Sequence, residues 1–224
     1  MITDTYPLSM GHSRSGITKQ RGWHPSMSPY LLGERDGGVW IPHVCRQRSL
    51  LRAAGVLQDI CKAGGYPWLV NTSPQLAPLV ATLGMYIGDA MGYSAYGWTP
   101  GTLTNWHSVS RSIVSYGIFR EACGDLIQRE QLEFPRYTRI HKMYQGLVTT
   151  KGTPKPRPDI LLVLNPNAMP RVLKEAHRMH IPTIGFVDTD TSCSFITYPI
   201  CLSPGVIPQV YNTLVFLISV VPRK

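Results

Sequence analysis

Acidic side chains are scarce in this sequence. Asp and Glu number 13 against 22 Lys and Arg, and charged residues make up 16% of the 224 positions, where about 25% is usual. The net charge of +9 therefore reflects a shortage of acid as much as clusters of base, and it points to a polyanionic partner only where the cations gather. The five cysteines, Cys45, Cys61, Cys123, Cys193 and Cys201, form no C-x-x-C pair. That excludes a disulfide framework and a thiolate metal knuckle, and a reduced compartment is expected. The longest apolar run, Leu214 to Val221, is interrupted by Ser219 and falls short of the ~20 residues a membrane helix requires; it reads as a buried helix or strand, and no membrane partner is expected. No apolar stretch follows the first basic residue, Arg14, so these residues hold neither a secretory signal nor an intact Arg-rich transit peptide; a presequence was removed or never needed. No internal repeat occurs at a fixed period.

Phosphate-binding loops are missing as well. Neither G-x-x-x-x-G-K-[ST] nor G-x-G-x-x-G follows an expected strand, which removes the backbone cradle a nucleotide would use. Polar residues do stand at strand ends, namely Asn71-Thr72-Ser73, Asn165 and Asp188-Thr189-Asp190. Asp188 and Asp190 could hold Mg²⁺ in a nucleotide- or metal-dependent enzyme, but Asp and Thr after a strand more often organise the turn. His177 and His180 are three apart on an expected helix, yet no third ligand accompanies them. Cys193 and Cys201 lack a nucleophile context and read as packing residues. No cofactor, metal, catalytic residue or small-molecule substrate is expected.

What is present suits one three-layer α/β domain with an appendage. Apolar residues at helical steps (Leu50, Ala54, Leu57, Cys61) define a helix over Gln47 to Lys62, stopped by Gly64-Gly65. Pro67 to Val70 is a buried strand, and Pro74 opens a helix carrying Leu76, Val80 and Leu83, which Pro78 would disturb. Asp159 to Leu164, Ala168 to Met179 and Thr183 to Val187 read strand, helix, strand. The strands are apolar on consecutive residues, as parallel strands covered on both faces are. Pro204 to Val221 supplies a closing helix. The expected organisation is an irregular aromatic-rich arm (1–46), a first part of the core (47–106), a projecting helical hairpin with a proline-rich connector (107–157) and a second part of the core (158–224).

Two segments gather the positive charge. Residues 11–35 carry Arg14, Lys19, Arg21 and Arg35 among His24, Trp23 and Tyr30. Residues 129–157 carry Arg129, Arg136, Arg139, Lys142, Lys151, Lys155 and Arg157, with Tyr137 and Tyr144 interleaved. Cations that pair with phosphates alternating with rings that stack on bases favour RNA.

Three blocks within these segments and the core carry a resemblance. Gly11-His12 followed by Trp23-His-Pro-Ser-Met-Ser-Pro-Tyr30 and Gly33-Glu-Arg-Asp-Gly37 resembles the W-N-P-x-M-x-P-Y segment of the S two family of small-subunit ribosomal proteins. Gly101-Thr-Leu-Thr-Asn-Trp106 is similar to that family's G-G-x-L-T-N-W. Pro158-Asp-Ile-Leu-Leu-Val163, Glu175-Ala176, Ile181-Pro-Thr-Ile184, Val187-Asp-Thr189 and Tyr198-Pro-Ile200 resemble its later blocks, in the same order. The resemblance implies a flavodoxin-like parallel sandwich placed between head and body of the small subunit, bound to small-subunit rRNA and neighbouring ribosomal proteins, without catalysis. It also implies that Trp23, Pro25, Met27, Pro29 and Tyr30 anchor the arm, and that Asn105 and Trp106 fix the loop entering the hairpin, Trp106 by packing. The RNA contacts expected from these readings are Arg14, Lys19, Arg21, His24, Arg35, Asn105, Arg136, Arg139 and Lys142.

Departures from the family pattern are informative. Thr72-Ser-Pro-Gln75 replaces a basic T-K-R-Q-type turn, which argues against a phosphate contact there. Phe134-Pro135 and the connector Lys151 to Pro158 argue against a long coiled coil. Cys201-Leu-Ser203 stands where Gly-Asn-Asp often follows Y-P-I. Such divergence, low in charge and rich in aromatics, suits a mitochondrial ribosome better than a plastid one or one in the bacterial cytoplasm.

Overall fold

A computed structural model describes residues 22–35, 38–129 and 134–222. Its centre is a five-stranded, wholly parallel sheet of β3 (Pro67–Val70), β4 (Gly92–Ser94), β5 (Ile160–Val163), β6 (Thr183–Val187) and β7 (Tyr198–Cys201). The spatial order is β4-β3-β5-β6-β7. Counted within the sheet this is 2-1-3-4-5, the doubly wound order of flavodoxin-like folds. Every residue of β3, β5 and β6 is buried, as the consecutive apolar residues require of strands covered on both faces.

Alternation along the strands sorts the core into two layers. Leu69, Ile160, Leu162, Ile184 and Phe186 face α1 (His43–Lys62), α2 (Ala77–Ile87) and α6 (Ile207–Val220). Trp68, Val70, Leu161, Val163 and Val187 face α3 (Trp106–Arg129), α5 (Pro170–Arg178) and the segment around Leu147 and Val148. Burying each such side chain contributes about 1.5–3 kcal/mol, so the sheet and both helix layers stabilise one another.

The helix boundaries correct the sequence in detail. The first long helix begins at His43, directly after Pro42, four residues before the expected Gln47. The helix expected to open at Pro74 starts at Ala77, with Pro78 in its first turn, where the missing N–H costs no helical bond. Ala168 to Met179 divides into a 3-10 turn, Pro166–Ala168, and α5. The closing helix starts at Ile207 rather than Pro204. Strand β4, only three residues long and at the sheet edge, was not visible as a periodic run. The described part of the arm contains regular elements where an irregular chain was expected: Pro25–Tyr30 forms a 3-10 turn, and β1 (Gly33–Arg35) pairs antiparallel with β2 (Gly38–Trp40).

A helical pair does connect β4 to β5. It consists of α3 and α4 (Pro135–Tyr144), whose first turn contains Pro135. Ile113 and Tyr116 seat the base of α3 in the core, whereas Ile118, Phe119 and Leu126 are exposed further along it. The Tyr116 hydroxyl lies 2.7 Å from His141 Nδ1. Ring contacts from Tyr116 and Phe119 to Tyr137 join the two helices.

Candidate nucleic-acid interface

Ligands of doubly wound sheets usually sit beyond the carboxyl ends of the strands. Here those ends are occupied by the protein's own polar groups. Asn71, fully buried after β3, donates from Nδ2 to the carbonyls of Ser73 and Ala95 and accepts from Ser73 N–H. After β6, Asp188 accepts from Thr189 N–H and from the Ser203 hydroxyl, each at 2.7 Å. Asp190 accepts from Asn167 Nδ2 at 3.0 Å. Both carboxylates therefore organise the turn that links β6, β7 and the start of α5. Among the described residues no group of three or more His, Cys, Asp or Glu is arranged to hold a metal ion. His177 packs its ring against Phe195 at 5.3 Å. The Cys201 thiol is pushed up to about 12, first by burial, which keeps it protonated and unreactive. No described helix is long and apolar enough to cross a membrane.

The motif blocks meet in space. Met27 is fully buried, with its sulfur 3.3 Å from Cys193 Sγ. Ser26 Oγ accepts from Cys193 N–H at 3.0 Å, and His24 N–H donates to the Thr189 carbonyl at 2.8 Å. The 24–30 turn is thus docked on the loop between β6 and β7. Tyr30 is half-buried, while Trp23, Pro25 and Pro29 are exposed. His24 Nδ1 accepts from Ser26 N–H and caps the 3-10 turn. In the second block, Trp106 packs edge-on against the buried Trp68 at 5.4 Å, and Trp98 does so at 6.2 Å. The carbonyl of the exposed Asn105 accepts from Ser108 and Val109 N–H at the start of α3. Glu175 of α5 binds the same loop through Gly101 and Leu103.

Of the cations expected to contact RNA, those whose side chains are described all lie on α4. Arg14, Lys19 and Arg21 lie outside the described residues, as does the Arg35 side chain, although Arg35 itself belongs to β1. Arg136, Arg139 and Lys142 are all exposed and succeed one another at three-residue steps along α4, so adjacent members are neighbours on the helix surface. Tyr137, Ile140 and Tyr144 of the same helix turn toward the core.

Lys155 departs from the expectation. Counted in the sequence among the basic residues of the connector, it is only 3% exposed, and its ammonium donates to the carbonyls of Gly88 and Met91 at 2.8 Å each. It closes the end of α2 instead of reaching solvent. A further basic surface escaped the sequence reading. Arg48 and Arg52 are exposed one turn apart on α1 and border a cleft of about 200 Å³ together with Tyr30 and Tyr198. Their four-residue spacing on the polar side of the Leu50, Ala54, Leu57 and Cys61 stripe is the signal that marks them as neighbours.

A doubly wound sandwich whose strand ends are engaged by its own side chains, and whose helices α1 and α4 carry exposed cations, defines a flavodoxin-like scaffold with basic helix surfaces. The sequence profile of Ribosomal protein S2 matches residues 10–204. Similar proteins include the small ribosomal subunit protein uS2 of Rhodospirillum rubrum, 30% identical over 185 residues that cover 80% of this chain and 69% of that protein. The uS2 of Paramagnetospirillum magneticum is 30% identical over 186 residues (80% and 68% coverage), and that of Gluconobacter oxydans 31% over 185 (80% and 68%). The chain belongs to the ribosomal protein S2 family.

Proposed function

We propose that this chain is a structural constituent of the small ribosomal subunit, a rigid α/β platform that binds rRNA and neighbouring ribosomal proteins without catalysing a reaction. Helix α4 carries the reading: one side is fixed by Tyr137 and Ile140, and the other presents Arg136, Arg139 and Lys142 to solvent. Held on a rigid helix, these cations neutralise phosphates and release counterions at little cost in ordering the protein. His24, Arg35 and the cations of residues 14–21 extend the contact along the arm, and Asn105 adds to it at the start of α3. The divergent turn Thr72 to Gln75 and the low content of charge support assignment to a mitochondrial ribosome.

The test is binding of the protein to small-subunit rRNA across a salt series. Replacing Arg136, Arg139 and Lys142 by Gln lowers the slope of log K against log salt by about 2–3, without changing thermal stability. An unchanged slope removes α4 from the interface. For the location, the tagged protein should co-sediment with small subunits from purified mitochondria; recovery solely with ribosomes of another compartment contradicts that assignment.

A further inference from the structure

A cleft lies between α4 and the loop that follows β4. It measures about 790 Å³ and is bordered by Tyr96, Trp98, Phe134, Arg139 and Lys142, with no carboxylate lining it among the described residues. Its volume falls in the range of about 300–1,000 Å³ typical of ligand sites. Tyr96 is 47% exposed and Phe134 50% exposed, which leaves apolar ring surface open to a ligand. Lys142 Nζ stands 5.8 Å from the Tyr96 ring centroid, so one cation already lies beside an aromatic face. Trp98, which also borders the cleft, has its Nε1 shielded from solvent and without a hydrogen-bond partner among the described residues.

We infer that this cleft receives an unpaired nucleotide of the RNA, its base stacked on the Tyr96 and Phe134 rings and its phosphates held by Arg139 and Lys142. Charge selects the occupant. Two cations, with no acid beside them among the described lining residues, match a polyanion, and open rings beside them match a splayed base, which a duplex does not offer. A protein neighbour would have to place a carboxylate against each cation, whereas every RNA nucleotide carries its own phosphate. The inference rests on the rRNA-binding reading and adds to it a preference for single-stranded RNA.

The experiment compares labelled oligouridine with a labelled RNA duplex, using the full chain. Tyr96→Ala combined with Phe134→Ala should weaken oligouridine binding at least about tenfold, while duplex binding stays within about twofold of wild type. Arg139→Gln with Lys142→Gln should weaken both and lower the salt slope by about 1.4–1.8. Since both rings are largely exposed, unfolding curves of the ring variant should superimpose on wild type. If the ring variant binds both RNAs like wild type, the stacking site is refuted while the rRNA reading stands. If the wild-type chain binds neither RNA, both fail. A photocrosslinker at position 96 in the assembled subunit should capture rRNA, and capture of a protein instead overturns the proposal.

Discussion

Glu175 and Gly101 are joined by a short hydrogen bond: the Gly101 N–H donates to Glu175 Oε1 at 2.6 Å, and the Leu103 N–H donates to Oε2 at 3.2 Å. One carboxylate, 7% exposed on α5, thereby holds the loop that leads into α3 and carries Trp106. The positions are 74 residues apart in the chain, in different blocks of the family pattern. Glu175→Ala leaves two backbone donors without their acceptor, and a loss of about 2–3 kcal/mol is expected in urea unfolding. Glu175→Gln keeps one acceptor and should lose less. Equal losses for the two variants would show that a single acceptor does not hold the loop.

Met27 offers a separate test of how the N-terminal turn is docked. Its side chain is fully buried against Cys193, so Met27→Ala opens a cavity and removes about 2–5 kcal/mol of local packing. The affected contacts tie one turn to one loop, so hydrogen exchange at the His24 amide, bonded to Thr189, should accelerate more than exchange in β5. Uniform acceleration across both would show that the turn and sheet open as one cooperative unit.

Two glycines in α3 should respond oppositely to the same substitution. A Cβ at Gly117 would collide with the Gly152 carbonyl oxygen, whereas one at Gly124 would meet only Arg120 Cγ at 3.4 Å and the Tyr137 hydroxyl at 3.7 Å. Gly124→Ala is therefore expected to stabilise by about 0.5–1 kcal/mol through helix propensity. Gly117→Ala should destabilise by about 1–3 kcal/mol, because backbone on the connector must move. Thermal melts of the two variants check the sign. Stabilisation by both would mean that α3 does not press against the turn at 149–153.

Lys155 predicts a pH dependence. Burial lowers its pKa from 10.5 to about 8, opposed by the charge of Asp89. Between these values the unfolded chain binds a proton that the folded chain has released. Stability contributed by this group therefore rises with pH from about 8 to about 10. Lys155→Met should abolish that rise, and at neutral pH it should cost about 1–3 kcal/mol by leaving the Gly88 and Met91 carbonyls without their donor. A rise that persists in the variant would assign it to another group.

His141 works in the opposite pH range. Burial first, and then the charge of Arg120, lower its pKa, and its Nδ1 lies 2.7 Å from the Tyr116 hydroxyl. The folded chain resists protonation there, so stability should fall as pH drops below the ordinary histidine value of about 6.5. His141→Gln should flatten that decline in denaturant titrations. An unaltered acid limb would exclude this residue as its source.

The sequence by itself determined the class of fold and the family. Consecutive apolar residues in Pro67–Val70, Ile160–Val163 and Thr183–Val187 can be satisfied only by strands covered on both faces, and the motif blocks are ordered along the chain. Periodicity failed where elements are short. Gly92–Ser94 becomes a strand by pairing with β3, and three residues carry no alternation of their own. Charge was legible as composition but not as location. Lys155 and Lys142 are both lysines of one basic segment, yet tertiary packing closes two backbone carbonyls with the first and leaves the second exposed beside Tyr96. Whether a cation meets solvent or a buried carbonyl depends on what the fold brings against it, and in these two cases the neighbours, Met91 for Lys155 and Tyr96 for Lys142, are distant in the chain.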